Sequence, residues 1–201
     1  MTNATASTSR PVLADRFVTS SRATDAALVL GGVAVVSVLA QVQVPLWPVP
    51  VTGQTLGVML VGASLGARRG ALSLLTYLVL GVAGLPIFAE FSGGPLSVLK
   101  PSFGFIIGFV LAAGLIGWLS ERDWDKKWFR SAAAFFAASL VPFVVGLPYL
   151  AVVLGQLGFP ADLQSVLAAG LYPFIVGGVA KWLIAAAALP VAWRVLGRRD
   201  R

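Results

Sequence analysis

Long apolar runs alternate with short polar or Gly- and Pro-containing breaks along nearly the whole chain. The runs cover roughly residues 24–42, 54–67, 70–86, 103–120, 131–155 and 171–194, and the breaks read "VPLWPVPVTG", "GARRG", "FAEFSGGPLSVLKP", "ERDWDKKWFR" and "QLGFPADLQSVLAAG". A hydrocarbon core of about 30 Å takes roughly 20 helical residues, fewer where loops dip inward. The pattern therefore predicts an all-α integral membrane protein with six transmembrane helices. Residues 1–23, rich in Ser, Thr and Ala, read as a flexible cytoplasmic tail, 24–195 as one six-helix domain, and 196–201 as a short basic ending. The second run, at about 14 residues or 21 Å of rise, is too short to cross upright. Pro45, Pro48 and Pro50 prevent it from extending backwards. Either extended chain lies at membrane depth against protein, or the bilayer is locally thin.

Composition agrees: 58% of residues are hydrophobic and 11% charged, where soluble domains carry about 25% charged residues. The net charge of +7 raises nucleic acid as a partner, but the positions of the charges exclude it. Arg10, Arg16 and Arg22 precede the first run; Arg68 and Arg69 join the second and third; Arg122, Lys126, Lys127 and Arg130 join the fourth and fifth; Arg194, Arg198, Arg199 and Arg201 end the sixth. All fall on one side of a six-span chain, which predicts cytoplasmic termini at both ends. No basic stripe remains for nucleic acid.

Helix-packing signals are plentiful. Small residues recur four apart at Ala23, Ala27 and Gly31, at Gly53 and Gly57, at Gly62 and Gly66, and at Gly104, Gly108 and Ala112. Such rows let backbones approach closely in lipid. The row on the first helix serves either internal packing or a partner helix.

Several chemistries are missing. The chain has neither histidine nor cysteine, which removes Ser-His-Asp hydrolysis, zinc-protease sites, thiolate nucleophiles and His proton relays. No acidic residue lies in the centre of a run, and no lysine follows glycine in a phosphate-binding loop. The chain is thus expected to be no enzyme and to need no cofactor, and any ATP-driven step belongs to another polypeptide.

One charge breaks the pattern. Lys181 sits inside "LYPFIVGGVAKWLIAAAALPVAW", about ten residues or 15 Å into the last helix. An ammonium there costs about 2.5–3.5 kcal/mol on insertion scales, so it needs acceptors. These come either from a ligand or from carbonyls freed by Pro142 and Pro148 on the fifth helix. Companions for a ligand lie in the outer loops: Gln54, Glu90, Ser92, Gly93, Gly94 and Lys100. Trp47, Phe88, Phe91 and Tyr172 either wall an apolar ligand or anchor the interface.

The segments "VPVTGQT", "GLPIFAEFSGG" and "YPFIVGGVAKW" closely resemble the BioY family, the biotin-binding S components of energy-coupling factor transporters, over about residues 25–195. The resemblance implies a multi-pass protein of the bacterial plasma membrane with an outward biotin pocket. It also implies partners: a transmembrane coupling protein and ATPase subunits. It places Gln54 in the first outer loop, Glu90, Phe91, Ser92, Gly93 and Gly94 in the third, and Lys181 at the lysine of the family's G-D-x-x-K, while Ala23, Ala27 and Gly31 correspond to small-residue docking rows. The chain departs from the pattern at "GGVAK", where Gly178 replaces the acid, and at "LKPSFG", which carries Lys100. Glu90 is a candidate for the displaced acceptor. Two alternatives stand beside biotin: an S component for another vitamin or heterocycle, and a membrane scaffold in which Lys181 is structural.

Overall fold

The computed structural model describes residues 12–19 and 21–199, with side chains through Val195. The tail expected over residues 1–11, Arg10 included, and the side chains of the basic ending lie outside the described residues. Helix α1 runs Arg22–Gln41 and opens where the Ser21 hydroxyl caps the backbone N–H of Thr24. The chain then forms a two-stranded antiparallel hairpin, β1 Gln43–Val44 with β2 Val51–Thr52, whose connection carries the three prolines. Five helices follow in the expected places: α2 Gln54–Leu65, α3 Ala67–Val82, α4 Phe103–Ser120, α5 Trp128–Gln156 and, last, a helix over Tyr172–Arg199. Between the last two lies a short helix that the apolar pattern does not separate from a loop, α6 Leu163–Gly170, so the final helix is α7. The Asp162 carboxylate starts α6 by accepting from the N–H groups of Gln164 and Ser165.

Among the described residues, four helices are long and apolar enough to cross a membrane: α1, α4, α5 and Tyr172–Val195 of α7. The α2 helix has 12 residues, or about 18 Å of rise, and the hairpin leads directly into it. It meets α3 at Gly66, whose φ of +87° breaks the helix in a conformation that a Cβ would oppose. Close approach explains most of the small-residue rows. A Cβ on Gly62 would stand 2.6 Å from the Ala113 carbonyl on α4, and one on Gly108 would stand 2.6 Å from Pro142 Cα on α5. The α1 row is different. Ala23, Ala27 and Gly31 are exposed, and no atom lies within 4 Å of a Cβ built on Gly31.

Part of the expected tail packs. Residues Leu13–Arg16 form a 3-10 turn against α2, burying Val12 and Ala14. The cause is Arg69, which bridges Asp15 at 2.6 Å and Asp25 at 2.7 Å and so ties the segment to α3 and α1. At the same end, the Glu121 carboxylate accepts from the free N–H of Ala67 at 2.8 Å, joining α4 to the start of α3.

Candidate functional site

The hairpin, the start of α2, the loop from 83 to 102, α4, α5 and α7 converge on a cavity of about 290 Å³. Phe105, Phe109, Phe143 and Phe174 supply its apolar wall from three helices, and Trp47, Pro48 and Val49 close it from the hairpin connection. Its polar groups are few: Thr52, Thr55, Glu90, Ser92, Ser97, Lys100 and Lys181 among them. Such a balance suits a mostly apolar molecule with polar ends.

Lys181 reaches across the bundle from α7. Its Nζ donates to the Thr52 carbonyl at 2.6 Å and to Thr55 Oγ1 at 3.1 Å. The neighbouring carbonyls that hold it therefore belong to β2 rather than to the proline-kinked α5. Both acceptors are neutral, and among the described residues Lys181 forms no ion pair; Glu90 lines the same cavity without bonding to it.

A hydrogen-bond chain sets the position of Thr52. Its hydroxyl donates to Gln54 Oε1 at 2.9 Å, Gln54 Nε2 donates to the Tyr77 hydroxyl at 2.7 Å, and that hydroxyl donates to the Ile87 carbonyl at 3.0 Å. Tyr77 is fully buried and Gln54 nearly so. The chain thus links the hairpin, α2, α3 and the 83–102 loop, and unmet polar groups make any break in it costly.

The loop is held from below as well. Gln41, at the end of α1, donates to the Phe88 carbonyl at 3.0 Å and accepts from the Phe91 N–H at 3.0 Å. The turn between these contacts puts Glu90 at φ 61° and Phe91 at φ 50°. Left-handed backbone costs residues with a Cβ roughly 1–2 kcal/mol, and such strain concentrates where a loop has a functional shape to keep. It presents Glu90 to the cavity and turns Phe91 outward, 71% exposed.

Of the residues singled out in the sequence, Gln54, Glu90, Ser92, Lys100 and Lys181 line the cavity, whereas Phe91, Gly93, Gly94 and Tyr172 do not. The two glycines shape the loop instead. A Cβ on Gly93 would stand 2.2 Å from the Leu85 carbonyl, and Gly94, at φ +93°, donates to the Gly81 carbonyl at 2.7 Å. Tyr172 begins α7 half-exposed, and Phe174 is the nearby aromatic that faces inward. Trp47 and Phe88, named from the sequence as candidate wall residues, line the cavity, whereas sequence reasoning missed Thr52, Thr55, Ser97 and the phenylalanines of α4, α5 and α7. Thr52 and Thr55 lie within the quoted "VPVTGQT", and Phe105 and Phe109 stand four apart on α4, a spacing that puts them on one face. Nothing local marks Ser97, whose buried hydroxyl has no partner among the described residues.

A model of the BioY family matches residues 8–198. The chain belongs to the BioY family. Among its relatives, the biotin transporter BioY of Rhizobium etli is 38% identical over 146 residues, covering 69% of this chain and 75% of that protein. The biotin transporter BioY of Thermotoga maritima is 33% identical, covering 76% and 86%, and the probable biotin transporter BioY of Pyrococcus horikoshii is 35% identical, covering 88% and 98%. The crystal structure of the S-component for biotin from an ECF-type ABC transporter superposes with a TM-score of 0.71 over 88% of this chain and 95% of that one, at 23% identity. The two share a fold. With its apolar helices, this BioY family member is a multi-pass membrane protein.

Proposed function

We propose that the chain captures biotin in the 290 Å³ cavity and delivers it across the membrane as the substrate-binding subunit of an uptake system. The observation that carries this reading is the ammonium of Lys181, held by neutral acceptors in a wall of phenylalanines, beside loops built by a buried hydrogen-bond chain. Biotin is chemically apt: an apolar bicycle and alkyl tail match the aromatic wall, while a ureido group and a carboxylate need a few fixed polar groups. Family membership and the relatives named as biotin transporters support the choice.

In this reading Lys181, Glu90, Ser92 and Lys100 meet the polar ends of the ligand, and Gln54 acts by fixing Thr52. Phe91, Gly93 and Gly94 act through the shape of the loop, and Tyr172 anchors the start of α7. The helices α1–α5 and α7 make six crossings with both termini in the cytoplasm of a bacterial cell, as the distribution of Arg and Lys supports. A transmembrane coupling protein docks on the exposed Ala23–Ala27–Gly31 row, and separate ATPase subunits supply the energy. The chain itself catalyses no reaction.

Equilibrium binding of labelled biotin to the purified protein tests the assignment. Saturable one-to-one binding, competed by unlabelled biotin, is the expected result; a folded protein that binds no biotin overturns it.

A further inference from the structure

A second chamber, of about 260 Å³, lies on the other side of Lys181. It shares Thr55, Phe143, Phe174 and Lys181 with the first cavity and is otherwise bounded by α2, α5 and α7. Its outer rim consists of Phe136, Leu140, Ile175 and Val179, all exposed at the surface of apolar helices. These four residues lie on α5 and α7, two helices long and apolar enough to cross a membrane.

Apart from the Lys181 ammonium, which borders both cavities, the side-chain polar groups in its wall are already engaged. The Ser139 hydroxyl donates to the Phe136 carbonyl at 2.7 Å, the Trp182 indole N–H donates to the Ala132 carbonyl at 2.8 Å, and Thr55 Oγ1 accepts from Lys181 at 3.1 Å. A water molecule needs two to four polar partners to be held in a cavity, and a polar solute needs comparable compensation. Away from Lys181, the chamber offers little to either. Hydrocarbon asks for no partner, and the bilayer supplies it at this depth.

We infer that the chamber binds an acyl chain of a bilayer phospholipid, inserted sideways between α5 and α7. The chain packs on the same Phe143, Phe174 and Lys181 that wall the first cavity, and so closes that cavity against the membrane. Gly178 makes the room: it lines the chamber, and no atom lies within 4 Å of a Cβ built on it.

The test reconstitutes the intact protein in phosphatidylethanolamine–phosphatidylglycerol vesicles containing a phosphatidylglycerol with a photoactivatable diazirine in one acyl chain. Crosslinks are mapped by peptide mass spectrometry. Labelling at Phe136, Ile175 and Trp182 is expected to exceed that at the lipid-facing Val79 and Leu111 at least fivefold; equal labelling overturns the inference. Gly178→Leu, whose Cβ meets no atom within 4 Å and whose side chain takes up chamber volume, should cut the label at Trp182 at least fivefold and leave that at Leu111 unchanged. A folded variant that keeps its Trp182 label overturns the inference, and the wild-type map decides alone if the variant fails to fold. Saturating biotin should leave the wild-type label in place. Loss of label with biotin would assign the chamber to the tail of the transported ligand instead, and absence of biotin binding would bear only on the proposed function.

Discussion

The ammonium of Lys181 on α7 lies 2.6 Å from the backbone carbonyl of Thr52 on β2. Two segments 129 residues apart in the chain are joined by this bond, which fixes a cation at the wall of an aromatic cavity. Because a carbonyl and a hydroxyl leave the positive charge uncompensated, an incoming anionic or carbonyl oxygen gains from meeting it.

Replacing that charge tests the site directly. Lys181→Met keeps the length of the side chain and removes the donors. The variant should insert and fold yet bind biotin at least tenfold more weakly, a loss of about 1.4 kcal/mol. Equilibrium binding with purified wild type and variant measures it, and unchanged affinity would remove Lys181 from the site.

Tyr77 contributes only its hydroxyl to the chain that holds the hairpin and loop together. Tyr77→Phe leaves both Gln54 Nε2 and the Ile87 carbonyl without this partner. A buried polar group so stranded costs about 1–3 kcal/mol, so the melting temperature should fall. Biotin should also dissociate faster, because the loop is released. Thermal melts and stopped-flow dissociation read the two effects separately; a variant that melts and releases ligand as wild type does would show the chain to be dispensable.

The exposed row on α1 gives a different kind of prediction. Ala27 is on the surface, so Ala27→Trp has room within the chain but bars a partner helix from close approach. Biotin binding by the isolated subunit is expected within twofold of wild type. Co-purification with the coupling protein, and ATP-driven uptake, should be lost. A complex that forms normally would move the docking face elsewhere.

Outside the membrane spans, Asp125 in the α4–α5 connection is 1% exposed. Burial raises its pKa above the usual aspartate range, while the bond from the Trp193 indole at 2.6 Å and the Lys126 charge act the other way. The folded protein therefore holds this proton to higher pH than the unfolded chain does. This group's contribution to stability should decline as pH rises from about 4 through the raised folded value. Asp125→Asn keeps an acceptor for Trp193 and cannot ionise. Relative to wild type, its melting temperature should gain as pH is raised over that window and then level off. A constant difference from pH 4 to 8 would contradict the argument.

Hydropathy alone determined the long helices, because each apolar run must satisfy its own backbone in lipid. Lys181 stood out for the same reason: an ammonium in an apolar run has no local explanation. The small α6 was not legible, since eight residues after a proline and an aspartate have too little periodicity to be told from a loop. Nor could the sequence say which acceptors hold Lys181; proline-kinked α5 was as good a candidate as β2 until the hairpin folded back and put the Thr52 carbonyl beside it. The same holds for Gly93 and Gly94, which the motif placed near a ligand and the structure places against Leu85 and Gly81. Local chemistry decides what each segment becomes, whereas the cavity exists only where six segments converge, and convergence is set by packing between residues far apart in the chain.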